Sequence, residues 1–567
     1  MKRYIASIFL VLVLFSMELY SQVHKDIEIE NKILTAVQKY NENEFEEARA
    51  ILTEVLLADD GYDAAWYYQA MISVMENDAE FAQECLRNAI SLDPENYWYR
   101  YRLATLYSHT DQMDLAIDLY ENLMNDFPKK SQLYYEMADI YLQNGDYEKA
   151  LLTAEEIENE FGMSEALTIY QYRIAYLSGN KERALQSLTK YNNQYSSPTI
   201  LCLLADNEMQ EYKDSTALTY YEEALDLDSS FAPALLGKAE VYRITFRYDE
   251  YFQNLYIYLK TDGADAIAKT GYLETLLDNC ESNFLASFSP QLDVAMEILT
   301  DLYPKESCVY SLKGLYYTYT QRFDEAQLQF QQNARENEDD IEATVTFLRF
   351  LWVAEKWKEL SAEGLAAFER FPYETLFPEM ACIGYYNLGD YSNALECCKT
   401  ILDNLGEDEQ KYASTLSTMG DIYYHLEETK KAYKCYDAVL KINPEDPYVL
   451  NNYAYFLALE KRNLKKAHEM SRKTVEAEPD NATYLDTFGW ILYLQGKPQE
   501  AKPLFKKALL HGGRESSVIL DHYAEVLYSL GEYDMAFVYW NLALQKDNGD
   551  VPGLKEKVEA RRQESKK

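Results

Sequence analysis

The chain has 567 residues, with 54 Lys+Arg against 95 Asp+Glu and a formal net charge of −41. Such a charge repels a polyanion and excludes nucleic-acid binding by phosphate neutralisation. A composition 48% hydrophobic and 26% charged supplies a large core and excludes wholesale disorder, while 20 Gly and 14 Pro are too few turn-formers for a β-sandwich or many α/β loops. Helix is the expected element, and 52 Tyr against 22 Phe suits surfaces that are half-buried throughout.

In chain order, the first element is a targeting segment over residues 1–22. Lys2 and Arg3 precede an apolar run from Ile5 to Phe15, and a short polar stretch through Ser21 and Gln22 follows. The run is much shorter than the roughly 20 residues that cross a bilayer, and Glu18 closes it. The pattern predicts a cleavable signal peptide, a mature chain beginning near Gln22, and a soluble protein of the periplasm or cell envelope with no membrane span. The first cysteine is Cys85, so no lipid-bearing N-terminal cysteine is available. The eight cysteines, which include Cys382, Cys397, Cys398 and Cys435, show no C-x-x-C spacing, and the expectation is that they serve as small hydrophobes.

Beyond the leader the sequence repeats. Ala36, Ala70, Ala104 and Ala138 are each 34 apart, as are Ala48, Ala82, Ala116, Ala150 and Ala184, with a 12-residue offset between the two series. Around them apolar residues recur at three- and four-residue spacing, for instance Tyr134, Met137, Ala138 and Tyr141. Each unit therefore reads as two amphipathic helices that cross where only a small side chain fits. Asn144-Gly145-Asp146 supplies a turn, and Gly389, Gly496 and Gly531 recur at the same place. One hairpin cannot bury its apolar face, but stacked neighbours can.

These residues resemble the tetratricopeptide repeat, most clearly over Ser131 to Phe161 and Asn481 to Leu510, and the block Leu450 to Leu509 is similar to exported bacterial members. The resemblance implies an all-α, right-handed α-solenoid of about 15 helix-turn-helix units. The register divides the chain into an acidic N-terminal array over 29–265, a degenerate longer unit over 266–306 with Ser287 to Pro290 as a loop, middle repeats over 307–410, C-terminal repeats over 411–550, and a charged closing helix over 551–567. Cys382 to Gly420 spans 38 residues, which places four extra residues near Gly406 to Glu409.

Catalytic motifs are missing from this pattern. There is no G-x-x-x-x-G-K-[ST], no two glycines are two apart, and His468-Glu469 lacks the second histidine of H-E-x-x-H. The six histidines are scattered, and His522 reads as a groove-facing polar residue rather than a metal ligand. The expectation is a non-enzymatic protein with no cofactor and no metal. Residues 1–410 hold 31 basic and 72 acidic residues, so the whole net charge arises there, and it serves either the solubility of a long array or the attraction of a basic partner.

The resemblance implies a scaffold or adaptor that holds a protein or peptide in its concave groove. One special case is an accessory factor of a wall or secretion machine. A carbohydrate binder or enzyme using aromatic platforms is the alternative of another class. Within the repeat, Trp66, Tyr107, Tyr134 and Tyr141 fall at core positions, whereas the fifth position of the first helix turns toward the groove. Tyr67, Tyr101 and Tyr135 occupy that position in successive units, with Trp98 beside the second, and these four are the expected partner-binding residues. The oligomeric state is left open.

Overall fold

The computed structural model describes residues 25–564, so the expected signal peptide and the last basic residues of the tail lie outside the described residues. Two compact units divide between Ala264 and Asp265. The first contains α1 (25–41), α2 (Phe45–Ala58), α3 (Asp63–Met75), α4 (Ala79–Leu92), α5 (Tyr97–His109), α6 (Met113–Asp126), α7 (Ser131–Gln143), α8 (Tyr147–Phe161), α9 (Glu165–Leu177), α10 (Lys181–Tyr195), α11 (Pro198–Gln210), α12 (Asp214–Leu227), α13 (Ala232–Ile244) and α14 (Tyr248–Lys260). The second contains α15 (Ala266–Asn279), α16 (Ser282–Leu302), α17 (Ser307–Tyr319), α18 (Phe323–Glu336), α19 (Ile341–Val353), α20 (Trp357–Arg370), α21 (Leu376–Asn387), α22 (Tyr391–Asn404), α23 (Glu409–His425), α24 (Thr429–Ile442), α25 (Pro447–Leu459), α26 (Leu464–Ala477), α27 (Ala482–Leu494), α28 (Pro498–Leu510), α29 (Ser517–Ser529), α30 (Tyr533–Lys546) and α31 (Leu554–Glu564). Among the described residues there is no strand, and no helix is long and apolar enough to cross a membrane.

Each unit is an α-solenoid of helical hairpins, in which helices pack on their neighbours in sequence. The alanine series explains how the hairpins close. Ala36, Ala70, Ala104 and Ala138, with Ala48, Ala82, Ala116 and Ala150, are wholly buried where first and second helices cross. In the second unit Gly314, Gly420 and Gly489 take the same place, and the rings of Phe330, Tyr436 and Phe505 lie where a β-carbon would be.

The period is also written in the backbone. Two residues after the first helix of a hairpin, the chain adopts a left-handed conformation at Asn43, Asn77, Asp111, Gly145, Gly179, Tyr212, Phe246, Gln321, Glu355, Gly389, Glu427, Lys461, Gly496 and Gly531. The hydrogen bonds there close the helix in a Schellman arrangement: Gly145 N donates to Leu142 O at 3.0 Å and Asp146 N to Tyr141 O at 2.8 Å. Tyr212 and Lys213 donate in the same way to Met209 O and Glu208 O. The α15–α16 pair lacks this residue.

Two local expectations change in form. Ser287 to Pro290 is not a loop: it lies inside α16, which kinks at Phe288 (φ −117°, ψ 16°). Pro290 has no N–H to donate and its ring presses on the preceding turn, so the helix bends and continues. The four extra residues before Gly420 appear as an added turn at the start of α23, which has 17 residues where α21 has 12 and α25 has 13.

Candidate functional site

The first helices of the hairpins carry the features that could meet a partner, and each unit has its own. In the first unit the expected residues sit on α3, α5 and α7. Trp98 is 57% exposed and stands edge-on to Tyr97 at 5.1 Å and to Tyr101 at 6.3 Å. Tyr101, in contrast, is buried, lies parallel to Tyr97 at 5.6 Å, donates to Glu136 Oε1 at 2.9 Å and accepts from Gln132 Nε2 at 2.7 Å. Burial, and then the bond to Glu136, push the Tyr101 pKa up to about 12. Tyr67 is half-buried against Tyr68 and Tyr99, and Tyr135 is half-buried against Tyr170. The structure thus brings Trp98 and Tyr101 together and gives Tyr67 and Tyr135 other ring partners.

A feature not singled out from the sequence lies one turn further along the same faces. A pocket of about 360 Å³ opens between α3 and α5, lined by Met71, Val74, Arg102, Thr105, Leu106 and His109. Met71 follows Tyr67 by four residues and Thr105 follows Tyr101 by four, so the helical period continues the aromatic face into the pocket. Val74 is 40% exposed, and the His109 ring nitrogen Nδ1 lies 2.8 Å from Thr105 O. The same four-residue spacing is the signal by which Met71 and Thr105 could have been found.

In the second unit the first helices of the hairpins carry polar groups that bond across the stack. Asp421 on α23 accepts from Tyr436 Oη, from Tyr448 Oη at 2.8 Å and from Asn452 Nδ2 at 3.2 Å. Burial raises its pKa above the usual carboxyl range, against the opposing effect of those hydrogen bonds. His522 is buried rather than groove-facing: Nδ1 lies 2.9 Å from Asp486 Oδ1, and the ring stacks on Trp490 at 4.0 Å. Asp521 accepts from Trp540 Nε1 at 2.9 Å and pairs with Lys557, and Glu525 pairs with Arg561 at 3.1 Å. Three of these bonds, Asp486 to His522, Asp521 to Lys557 and Glu525 to Arg561, join residues 36 apart. They tie one first helix to the next and fasten α31 to the end of the array. Among the described residues no group of three or more His, Cys, Asp or Glu is placed to hold a metal ion.

The added turn of α23 forms one wall of a cleft of about 630 Å³, lined by Glu409, Ala413 and Ser417 of α23 with Asn443, Asp446 and Tyr448. Ser417 is 7% exposed, and its Oγ has no hydrogen-bond partner among the described residues. A buried hydroxyl left unpaired costs about 1–3 kcal/mol, and a ligand entering this cleft could satisfy it.

Family models described as tetratricopeptide repeat match residues 99–130, 131–157 and 413–446. No curated protein matches the chain. Among solved structures the chain is similar to that of Naa15/Naa10 bound to HypK-THB, with 14% identity and a TM-score of 0.36 over 96% of this chain and 92% of that one. It is similar to a tetratricopeptide repeat protein from Parabacteroides merdae ATCC 43184, with 13% identity and a TM-score of 0.38 over 45% of this chain and 97% of that one. Yeast Tom70 is 12% identical, with a TM-score of 0.34 over 89% of this chain and 97% of its own. The chain carries tetratricopeptide repeats in both of its compact units.

Proposed function

We propose that this protein is a non-enzymatic scaffold that holds a protein or peptide segment on the inner faces of its first helices, in the cell envelope. The observation that carries this reading is the pocket between α3 and α5, which continues the face bearing Tyr67, Trp98 and Tyr101. Its lining from Met71, Val74 and Leu106 suits an apolar side chain, and Trp98, four residues before the lining residue Arg102 on α5, supplies an exposed ring with few rotors. The acidic excess of residues 1–410 favours a basic segment around that anchor. The charged and apolar pattern of residues 1–22 supports export.

Crosslinking pull-down from envelope fractions tests the reading, with a photoreactive side chain at Met71 and, as a control, at exposed Leu57 of α2. Capture of one protein species from Met71 alone is expected, and Trp98→Ala together with Leu106→Arg abolishes it. Equal capture from both positions, or capture unchanged by the double substitution, overturns the proposal. Specific retention of a glycan without any protein partner supports the carbohydrate-binding alternative instead.

A further inference from the structure

Helices α21 and α22 cross at Cys382 and Cys398, which are 16 residues apart. Three other hairpins use the same spacing to seat an aromatic ring over a glycine, as Gly314 with Phe330, Gly420 with Tyr436 and Gly489 with Phe505. Here two thiols share the crossing, with Sγ to Sγ 3.5 Å. A disulfide needs about 2.05 Å between sulfurs and about 3.8 Å between β-carbons, so the remaining approach is about 1.5 Å at the sulfurs. Both side chains are buried, yet both line a cleft of about 200 Å³ with Glu379, Ile401, Ser414 and Thr418. That cleft is the path a small reagent would take.

We propose that Cys382 and Cys398 form a redox-modification site, which closes to an intra-hairpin disulfide by exchange with a small-molecule disulfide. The Cys382 thiolate attacks one sulfur of that disulfide, R–S–S–R, forming a mixed disulfide and releasing R–S⁻, which takes up the Cys382 proton. The Cys398 sulfur then gives up its proton and attacks Cys382 Sγ, forming the Cys382–Cys398 bond and releasing the second R–S⁻, which that proton neutralises. Two cysteine thiols lose two electrons in all, and R–S–S–R is reduced to two R–SH. The hydrogen bond the two sulfurs share lowers the pKa of Cys382, while the same contact and burial raise that of Cys398. Cys382 is therefore the attacking sulfur and Cys398 the resolving one. The product staples α21 to α22 across a short loop.

The test is incubation of the reduced full-length protein with oxidised glutathione, then alkylation of remaining thiols under denaturing conditions. Cleavage at aspartate separates Cys382 from Cys397 and Cys398 at Asp390. The expected result is two fewer alkylated thiols, two fragments joined only through a reducible bond, and a higher melting midpoint for the oxidised protein. Cys397→Ser should keep the crosslink, whereas Cys398→Ser should leave Cys382 as a thiol or a glutathione adduct. Full alkylation of both residues in the wild type after oxidation, or a bond from Cys382 to Cys397, overturns the proposal.

Discussion

Two glycine-to-alanine substitutions in the second unit should shift stability in opposite directions. At Gly420 a β-carbon would lie 2.3 Å from Tyr436 Cε1 and 2.8 Å from Cδ1. The ring has no room to retreat, because Tyr436 is wholly buried and its hydroxyl is bound to Asp421. Overpacking of this kind costs about 1–3 kcal/mol, and displacing the ring from a buried carboxyl adds about 1–3 kcal/mol. Against this, alanine gains about 1 kcal/mol over glycine in a helix interior. The net expectation for Gly420→Ala is a loss of roughly 1–5 kcal/mol. Gly271 on α15 has a helical backbone and nothing within 4 Å of its added β-carbon, so Gly271→Ala should gain about 0.5–1 kcal/mol. Guanidinium unfolding of each full-length variant, followed by far-ultraviolet circular dichroism, compares the two. If Gly420→Ala raises the midpoint as Gly271→Ala does, the argument that small residues are required at the helix crossing is wrong.

Deleting α31 after Gly553 removes the buried side chains of Leu554 and Val558 and strips Asp521 and Glu525 of Lys557 and Arg561. At about 1.5–3 kcal/mol per buried aliphatic side chain, the unfolding midpoint should fall clearly, and an unchanged midpoint would show that the array does not need this cap. Asp206 and Asp421 hold their protons more tightly when folded, chiefly through burial, so their contribution is largest below the ordinary aspartate pKa and is lost as pH rises through the folded one. Stability measured across that acid range should accordingly decline less steeply for Asp421→Asn than for the wild type. Intact mass of the protein recovered from its native host should correspond to a chain starting near Gln22, and retention of Met1 would refute the export reading. Trp98→Ala should weaken partner capture by roughly 2 kcal/mol if Trp98 is a hot spot, with the helical signal unchanged because the ring is largely exposed.

The solenoid was legible because a close crossing of two helices tolerates few residue types, and alanine at a 34-residue interval is hard to produce otherwise. The turns were legible only where glycine marks them. Tyr212, Phe246 and Lys461 adopt the same left-handed backbone as Gly145, yet nothing in their side chains announces it. Ser287 to Pro290 looked like a loop because proline usually ends a helix, whereas packing on both sides of the kink holds α16 together. Tyr101 was placed on the correct helix, but its burial depends on Gln132 and Glu136 of the next hairpin and on Tyr97 one turn earlier. The proximity of Cys382 and Cys398 escaped a search for short cysteine spacings, since helices rather than sequence neighbours bring them together.

The left-handed residue between the two helices of a hairpin has a consequence for how such an array can be tuned. At nine hairpins this conformation falls on Asn43, Asn77, Asp111, Tyr212, Phe246, Gln321, Glu355, Glu427 and Lys461, where a side chain costs on the order of 1–2 kcal/mol that glycine avoids. Tyr212 and Phe246 are largely exposed, so replacing them with glycine gives up little packing. Because a repeat contacts only its neighbours, each such site acts as a local dial on the opening of its own hairpin. Changes at well-separated dials should add, so the order in which hairpins of a unit come apart could be rewritten without altering a residue on the inner face.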